Sequence, residues 1–321
     1  MTPRIAVFEA IHADGIAQMQ SFAGVDIRLG LTPEGVRQAI PPYDAIIVKS
    51  VTRVDGGLLD AAPRLKAIGR AGVGLDNIDF DEATRRGIVV LTTPNGNTIA
   101  VAELTVGLIV ALARNLVAAQ RAVAGGDFRR HLLEGRELRS MTIGILGLGR
   151  AGGAVAERLA GFGCKLVALD PSPRDPAAYA RLGGEMVATL AELMARSDVL
   201  TVHVPLTPAT RGLLDGAAFA HAKQGQLLIN TARGRIVDND AVLAALDSGR
   251  VGAAAVDTIF PEPPYDLAPG AHSFDHPLLH HPRILMTPHI GASTIEAQRG
   301  IAMELSDRLA AALRQPAGVP R

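Results

Sequence analysis

The run Gly147-Leu148-Gly149-Arg150-Ala151-Gly152 follows a short apolar segment, Thr142 to Leu146, and leads into an Ala-rich helical stretch, Ala154 to Ala160. A second apolar segment, Lys165 to Leu169, ends on Asp170. This order is a dinucleotide fingerprint. Gly147 permits the tight turn, Gly149 removes a side chain from the path of a pyrophosphate, and Gly152 lets the helix press on the sheet. The diphosphate of such a ligand is held by free amides at the helix start, where the dipole favours negative charge. Asp170 can accept both ribose hydroxyls of NAD, whereas a 2′-phosphate would meet like charge there. Ser172 and Arg174, which follow at once, are the groups a 2′-phosphate would use. The pattern predicts NAD.

Three further segments place reactive groups in loops that follow strands of the same half, where ligands of doubly wound sheets bind. They are T-A-R-G-R with Arg233, D-T-I-F-P-E-P-P with Glu262, and T-P-H-I-G-A-S-T with His289. A guanidinium, a carboxylate and an imidazole near a nicotinamide are the set needed to move a hydride. Arg233 can clamp a substrate carboxylate through two parallel hydrogen bonds. His289 can take a hydroxyl proton as hydride leaves the same carbon. Glu262 can accept from the far imidazole nitrogen, fixing the tautomer and supporting the protonated ring. Taken singly, each has a plain structural role: an ion pair, a solvated acid, a turn cap.

These groups need a frame, and the rest of the chain reads as alternating strands and helices. Ile5 to Phe8, Asp26 to Leu29, Ala45 to Val48, Leu65 to Ile68 and Ile88 to Leu91 are short apolar strands separated by helical or turn-rich stretches, the mark of a parallel α/β sheet. The fingerprint half continues with Val199 to Val204, Leu227 to Asn230, Ala253 to Val256 and Ile284 to Met286. Between the halves a helix from about Thr98 to Gly125 is apolar on nearly every side, which predicts packing against a second subunit. A last amphipathic helix, about Ser293 to Leu313, is expected to return to the first half. The tail Gln315 to Arg321 is expected to be disordered.

With 321 residues the chain exceeds one comfortable core. Hydrophobic residues are 48% and charged residues 20%, ordinary for a globular protein. Lys plus Arg number 32 and Asp plus Glu number 32, so no overall field recruits nucleic acid or a membrane surface. One cysteine, Cys164, forms no internal disulfide and reads as a small core filler. Without a basic and apolar leader pattern, a cytoplasmic location is the expectation. The apolar stretch Leu104 to Ala113 is too short to span a bilayer. His272, His276, His280 and His281 in the long loop Tyr265 to His281 have ligand-like spacing. No cysteine supports them, the only nearby acids are Asp266 and Asp275, and Pro269, Pro277 and Pro282 break a common helix face, so no metal is predicted.

The motifs, taken together, resemble the D-isomer-specific 2-hydroxyacid dehydrogenase family, with its phosphoglycerate dehydrogenase branch the most similar. The residues that carry the likeness are K-S-V-T at Lys49 to Thr52, G-R-A-G-V-G-L-D-N at Gly69 to Asn77, P-N-G-N-T at Pro94 to Thr98 and A-E-L-T at Ala102 to Thr105. They continue with the fingerprint, H-V-P-L-T at His203 to Thr207, N-T-A-R-G-R-I-V-D at Asn230 to Asp238, E-P-P at Glu262 to Pro264 and P-H-I-G-A-S-T at Pro288 to Thr294. They cover nearly the whole chain in family order.

The resemblance implies two doubly wound parallel-sheet domains. A flavodoxin-like substrate domain would be discontinuous, residues 1–96 and 287–321, around a Rossmann NAD-binding domain, residues 97–286. It implies Arg233, Glu262 and His289 as the catalytic set. It places the Val73 and Gly74 amides on the substrate carboxylate, with Lys49, Ser50, Val51 and Asn97 lining the pocket. On the cofactor side it adds Arg150, Ala151, His203, Pro205, Thr210, Thr231, Ala232, Arg233, Asp257, His289 and Gly291 to the fingerprint glycines and Asp170. Asp257 would meet the nicotinamide carboxamide, and His203 would be wall only. The partner implied is a small 2-hydroxy or 2-keto acid, with a homodimer formed through the Thr98 to Gly125 region.

The chain departs from the branch in having no tryptophan near Gly126 to Glu137, and it stops where longer relatives continue into regulatory domains, so serine feedback through such a domain is not expected. A phosphorylated acid would need further cations, for which Lys49, Arg53, Arg129, Arg130 and Arg136 are candidates. Glyoxylate or hydroxypyruvate would be satisfied by Arg233 and the Val73 and Gly74 amides. A different class, an NAD-sensing protein like the family's transcriptional corepressors, has less need of a complete proton relay.

Overall fold

The computed structural model describes residues 2–263 and 274–314. Two compact units result: Met1–Thr98 with the chain from Ala292 onward, and Ile99–Gly291. His272, the first part of the histidine loop and the tail from Gln315 lie outside the described residues.

The first unit is a five-stranded parallel sheet. β1 (Arg4–Val7), β2 (Gly24–Ile27), β3 (Ala45–Val48), β4 (Ala67–Arg70) and β5 (Val89–Leu91) stand in the order β2-β1-β3-β4-β5. All four residues of β3 are buried, as a central strand covered on both faces requires. Period-two alternation divides the apolar residues between two cores. Ala6, Phe8, Ile46 and Val48 enter one, while Ile5, Val7, Ala45 and Ile47 enter the other with Ile301, Leu305 and Leu309 of the last helix. That helix, Ile295–Arg314, crosses Ala13–Gln20 closely, since a Cβ on Gly15 would stand 2.5 Å from the Ala302 Cβ. Strand β2 begins two residues before the expected segment because its edge register pairs Arg4 with Gly24, which leaves Leu29 beyond the strand.

The second unit is a seven-stranded parallel sheet in the order β12-β11-β10-β9-β6-β7-β8. Its strands are β6 (Thr142–Leu146), β7 (Lys165–Leu169), β8 (Glu185–Met186), β9 (Val199–Val202), β10 (Gln226–Asn230), β11 (Val251–Val256) and β12 (Ile284–Met286). The order runs outward in both directions from the β6/β9 boundary, which opens a crevice at the carboxyl ends of those strands. β8 escapes a sequence reading because its two residues are both exposed and carry no apolar pattern.

Two expectations need correction. The helix predicted from Thr98 to Gly125 is two helices, Thr98–Ala113 and Leu116–Ala124, bent by 61°. Asn115 takes a left-handed φ of 54° and donates from Nδ2 to the Glu134 carbonyl, while the Arg136 amide donates to the Ala113 carbonyl. Crossing of the 134–136 segment ends the first helix, a long-range cause with no local signature. The second correction concerns the domain boundary at 287. Residues 287–291 belong to the second unit, because the Thr287 amide donates to the Val256 carbonyl and the Ile290 and Gly291 amides donate to Asp257. Among the described residues no single helix is long and apolar enough to cross a membrane.

Candidate active site

At the end of β6 the glycine turn has the geometry its sequence promises. Gly147 has φ +98°, and a Cβ there would lie 2.9 Å from the Val204 amide nitrogen. A Cβ on Gly152 would fall 1.9 Å from the Gly147 carbonyl oxygen, so helix Arg150–Ala160 could not approach the strand with any other residue. Gly149 differs, because nothing of the protein lies within 4 Å of a Cβ built there. What its missing side chain keeps clear is outward space at an exposed helix start, the cradle a diphosphate fills.

Asp170 follows β7 directly and closes this cradle. Its Oδ2 accepts the Leu148 amide at 2.6 Å and its Oδ1 accepts the Ser172 amide at 2.8 Å. Each oxygen retains a lone pair for a ribose hydroxyl. His203 lines the cradle on the β9 side and bonds the Thr201 hydroxyl at 2.9 Å. Burial pulls its pKa down to about 4, which leaves the ring neutral at pH 7. The Thr210 hydroxyl is spent locally, donating to the Pro205 carbonyl and accepting the Thr207 amide. Thr231 shares a buried hydrogen bond of 2.9 Å with Thr105. Since Thr105 donates to the Val101 carbonyl, Thr231 is the donor of that bond. Thr105, quoted only as part of a motif, thus ties helix Thr98–Ala113 to the end of β10. The residues present fit a dinucleotide.

The catalytic candidates lie in loops of the same unit. Arg233 is anchored through its backbone: Asn230 donates from Nδ2 to the Arg233 carbonyl at 2.9 Å and accepts the Ala232 amide at 3.0 Å. Gly234 lets this turn reach the strand-end backbone, since a Cβ there would lie 2.2 Å from the Ile259 carbonyl carbon. The Arg233 guanidinium donates to the Ala232 carbonyl at 2.7 Å. His289 and Glu262 come together, with Nδ1 3.6 Å from Oε1. That is ion-pair distance and slightly long for a hydrogen bond. Nδ1 is the ring nitrogen that faces the carboxylate.

His289 has φ 56°, a conformation few non-glycine residues adopt. Asp257 explains how it is held. Its Oδ1 accepts the Thr287 hydroxyl at 2.5 Å and the Ile290 amide at 2.8 Å, and its Oδ2 accepts the Gly291 amide at 2.9 Å. The residue is 2% exposed. Asp257, expected to meet the nicotinamide carboxamide, also uses its carboxylate to hold the turn that carries the imidazole. The Gly291 amide, expected on the cofactor side, is one of its donors.

In the first unit, the substrate-loop candidates sit after β3, β4 and β5. Lys49, Ser50 and Val51 form a bend in which the Lys49 and Val51 amides donate to Glu9, and the Lys49 Nζ donates to Gln298 Oε1 at 3.1 Å. Val73 is exposed and Gly74 half-buried, on a loop fixed where the Thr93 amide donates to the Gly72 carbonyl at 2.9 Å. Asn97 follows a turn pinned to the last helix by Asn95, which donates to Glu304 through its backbone and side chain. Glu9 carries no distinguishing local pattern in the sequence, being one acid two residues past a strand.

Other cations are engaged near home. Arg129 pairs with Asp127, Arg136 with Asp198 and Arg53 with Asp55, while Arg130 is exposed. The described histidines of the long loop are also occupied. His276 is buried, accepts the Leu278 amide on Nδ1 and donates from Nε2 to the Phe260 carbonyl. His280 pairs with Asp275 and His281 with Asp247. Cys164 is half-buried, and burial pushes its thiol pKa up.

A parallel seven-stranded sheet with this glycine turn and acid defines a dinucleotide-binding scaffold. Residues 106–291 match the family model described as D-isomer specific 2-hydroxyacid dehydrogenase, NAD binding domain. The chain belongs to that family, and its second unit is an NAD-binding domain. It is 42% identical over 306 residues to D-3-phosphoglycerate dehydrogenase of Bacillus subtilis, covering 95% of this chain and 56% of that protein. It is 38% identical over 313 residues to the chloroplastic D-3-phosphoglycerate dehydrogenase 2 of Arabidopsis thaliana, covering 97% of this chain and 49% of the relative. Among solved structures it resembles D-lactate dehydrogenase from Aquifex aeolicus complexed with NAD and lactic acid, with TM-score 0.84 and 26% identity over 97% of this chain and 95% of the other. The chain spans about half the length of the curated relatives it matches.

Proposed function

We propose that the protein is an NAD-dependent D-2-hydroxyacid dehydrogenase, similar to phosphoglycerate dehydrogenases, acting between a small D-2-hydroxy acid and its 2-keto acid. The observation that carries this reading is the His289 and Glu262 pair, 3.6 Å apart, in the unit that bears the NAD fingerprint. NAD, held by the Gly147 to Gly152 turn and Asp170, supplies the hydride acceptor when bound. Oxidising the alcohol removes a hydride from C2 and a proton from its oxygen, and His289 Nε2 takes that proton. Glu262 faces Nδ1 and stabilises the ring while it carries both protons. Arg233 pairs with the substrate carboxylate and polarises the adjacent oxygen. In the first unit, the Val73 and Gly74 amides are the proposed carboxylate-binding groups, with Lys49, Ser50, Val51 and Asn97 as proposed pocket residues.

The same reading places the protein in the cytoplasm as a homodimer formed through the Thr98 to Gly125 region. A single cysteine is consistent with the first, and exposed Ile99, Leu116, Val123 and Phe128 support the second, Phe128 at 74% exposure. The deciding experiment gives purified protein NADH and a panel of glyoxylate, pyruvate, hydroxypyruvate and 3-phosphohydroxypyruvate. Oxidation of NADH with one of them is expected. NADH binding without turnover of any 2-keto acid would refute the dehydrogenase and favour an NAD-sensing protein.

A further inference from the structure

We infer that Glu9 is a positioning residue that sets the shape of the Lys49–Thr52 loop, an inference that rests on the reading of this loop as part of the substrate pocket. Glu9 lies two residues past β1, and its carboxylate collects amides from the loop that follows β3. Oε1 accepts the Lys49 amide at 2.9 Å and the Thr52 amide at 2.8 Å, and Oε2 accepts the Val51 amide at 3.1 Å. The loop carbonyls are met from the other side. Asn77 donates from Nδ2 to the Lys49 carbonyl at 3.1 Å and the Thr52 carbonyl at 2.6 Å. Asn77 itself closes the loop that holds Val73 and Gly74, and its carbonyl accepts the Val54 amide at 2.8 Å.

Five backbone polar groups of a four-residue loop are thus satisfied by two side chains from distant parts of the sequence. No strand ladder reaches them, so without Glu9 three amides would turn to solvent or seek other acceptors. Bonds from amides to an ionised carboxylate are stronger than neutral ones, which suits them to fix a loop otherwise free to vary. With the backbone turned inward, the side chains of Ser50 and Val51 face outward, and Val51 is 67% exposed. Lys49 is steadied in a complementary way. Its ammonium rests on the neutral amide of Gln298, so that contact orients the charge without cancelling it. A loop shaped before the acid arrives avoids an ordering cost on binding, and that cost appears in KM.

Glu9→Ala and Glu9→Gln separate this role from a merely structural one. Gln keeps an acceptor for Lys49 and Thr52 but turns a donor toward the Val51 amide, so its effect should be intermediate. With the keto acid that the parent reduces fastest, KM should rise about tenfold or more in Glu9→Ala. The value of kcat should stay within about threefold and the NADH dissociation constant should not change. Hydrogen exchange at Lys49, Val51 and Thr52 should accelerate in the same variants. An unchanged KM in both variants overturns the inference, as does a fall in kcat and NADH affinity in parallel with KM. If Glu9→Ala does not fold, Glu9→Gln alone decides by its KM and exchange. Should the parent reduce no keto acid, the proposed function fails on its own, and exchange still decides the clamp: unaltered protection in the variants refutes it, faster exchange supports it.

Discussion

Asp257→Ala tests whether the buried carboxylate serves the cofactor or the turn that bears His289. Its removal strands the Ile290 and Gly291 amides and the Thr287 hydroxyl at a position 2% exposed to solvent. A buried donor without an acceptor costs about 1–3 kcal/mol, so the two amides alone predict a loss of about 2–6 kcal/mol. For a unit of this size that lowers Tm by roughly 4–24 °C. The backbone of His289 adds a second effect. A left-handed residue other than glycine lies about 1–2 kcal/mol above its relaxed conformation, and the carboxylate latch is what opposes that relaxation. Released, the turn should hold the imidazole beside Glu262 only about a tenth of the time, so kcat should fall about tenfold or more. Asp257→Asn keeps one acceptor and should fall between. The assays are a thermal melt, kcat at saturating keto acid, and NADH titration by fluorescence. A variant with parental Tm and kcat but NADH binding weakened tenfold would refute the latch and return Asp257 to the nicotinamide.

Three further outcomes follow from the geometry. His289→Ala should lower kcat by about a hundredfold or more, the usual worth of a positioned acid or base, with NADH affinity within twofold of the parent by titration. Gly152→Ala pushes a methyl group to 1.9 Å from a backbone oxygen and should cost about 1–3 kcal/mol with loss of NADH affinity, whereas Gly153→Ala, with nothing within 4 Å, should be neutral or slightly stabilising; denaturant melts of the pair check the contrast. His203 falls from 6.5 to about 4 on burial, so the unfolded chain binds its proton first as pH drops. The stability it preserves is complete above pH 6.5 and is lost as pH falls toward 4, by up to about 3 kcal/mol, and His203→Asn should flatten that dependence in urea melts at pH 7 and 5.

The sequence reveals what depends on neighbouring residues. The glycine turn, its strand and Asp170 lie within 30 residues, each in a type that its backbone or ligand demands, so spacing alone places the cofactor. Arg233, Glu262 and His289 are legible as reactive types in strand-end loops, and the pairing of the last two needed only the loops to face each other. What stayed hidden depends on partners far along the chain. Glu9 meets a loop 40 residues away, Thr105 meets Thr231, 126 residues away, and Asn115 breaks a helix because of Glu134. Helical composition on both sides of Asn115 conceals that break. The hold of Asp257 on the His289 turn was not legible either, since a carboxylate beside a reactive turn looks alike in sequence whether or not it accepts from the backbone.

Acids at the two edges of these sheets do different work. At the amino ends of strands, Asp44 before β3 accepts the Arg4 amide and pairs with Lys66 and Arg64, and Asp198 before β9 accepts the Thr142 amide and pairs with Lys223 and Arg136. At the carboxyl ends, Glu9 past β1, Asp170 after β7 and Asp257 after β11 each gather two or more backbone amides, and none is paired with a cation among the described residues. Parallel strands leave loops at that edge without ladder partners, and it is there that ligands bind. A salt-bridged acid would bring a long cationic side chain into that space, whereas an acid that accepts amides fixes the loop and leaves the space open. Each of the three governs one loop: Asp170 the loop after β7, Asp257 the turn that carries His289 and Glu9 the Lys49–Thr52 bend. Their substitutions should therefore separate in NADH affinity, kcat and KM respectively, a division that uniform structural damage would not produce.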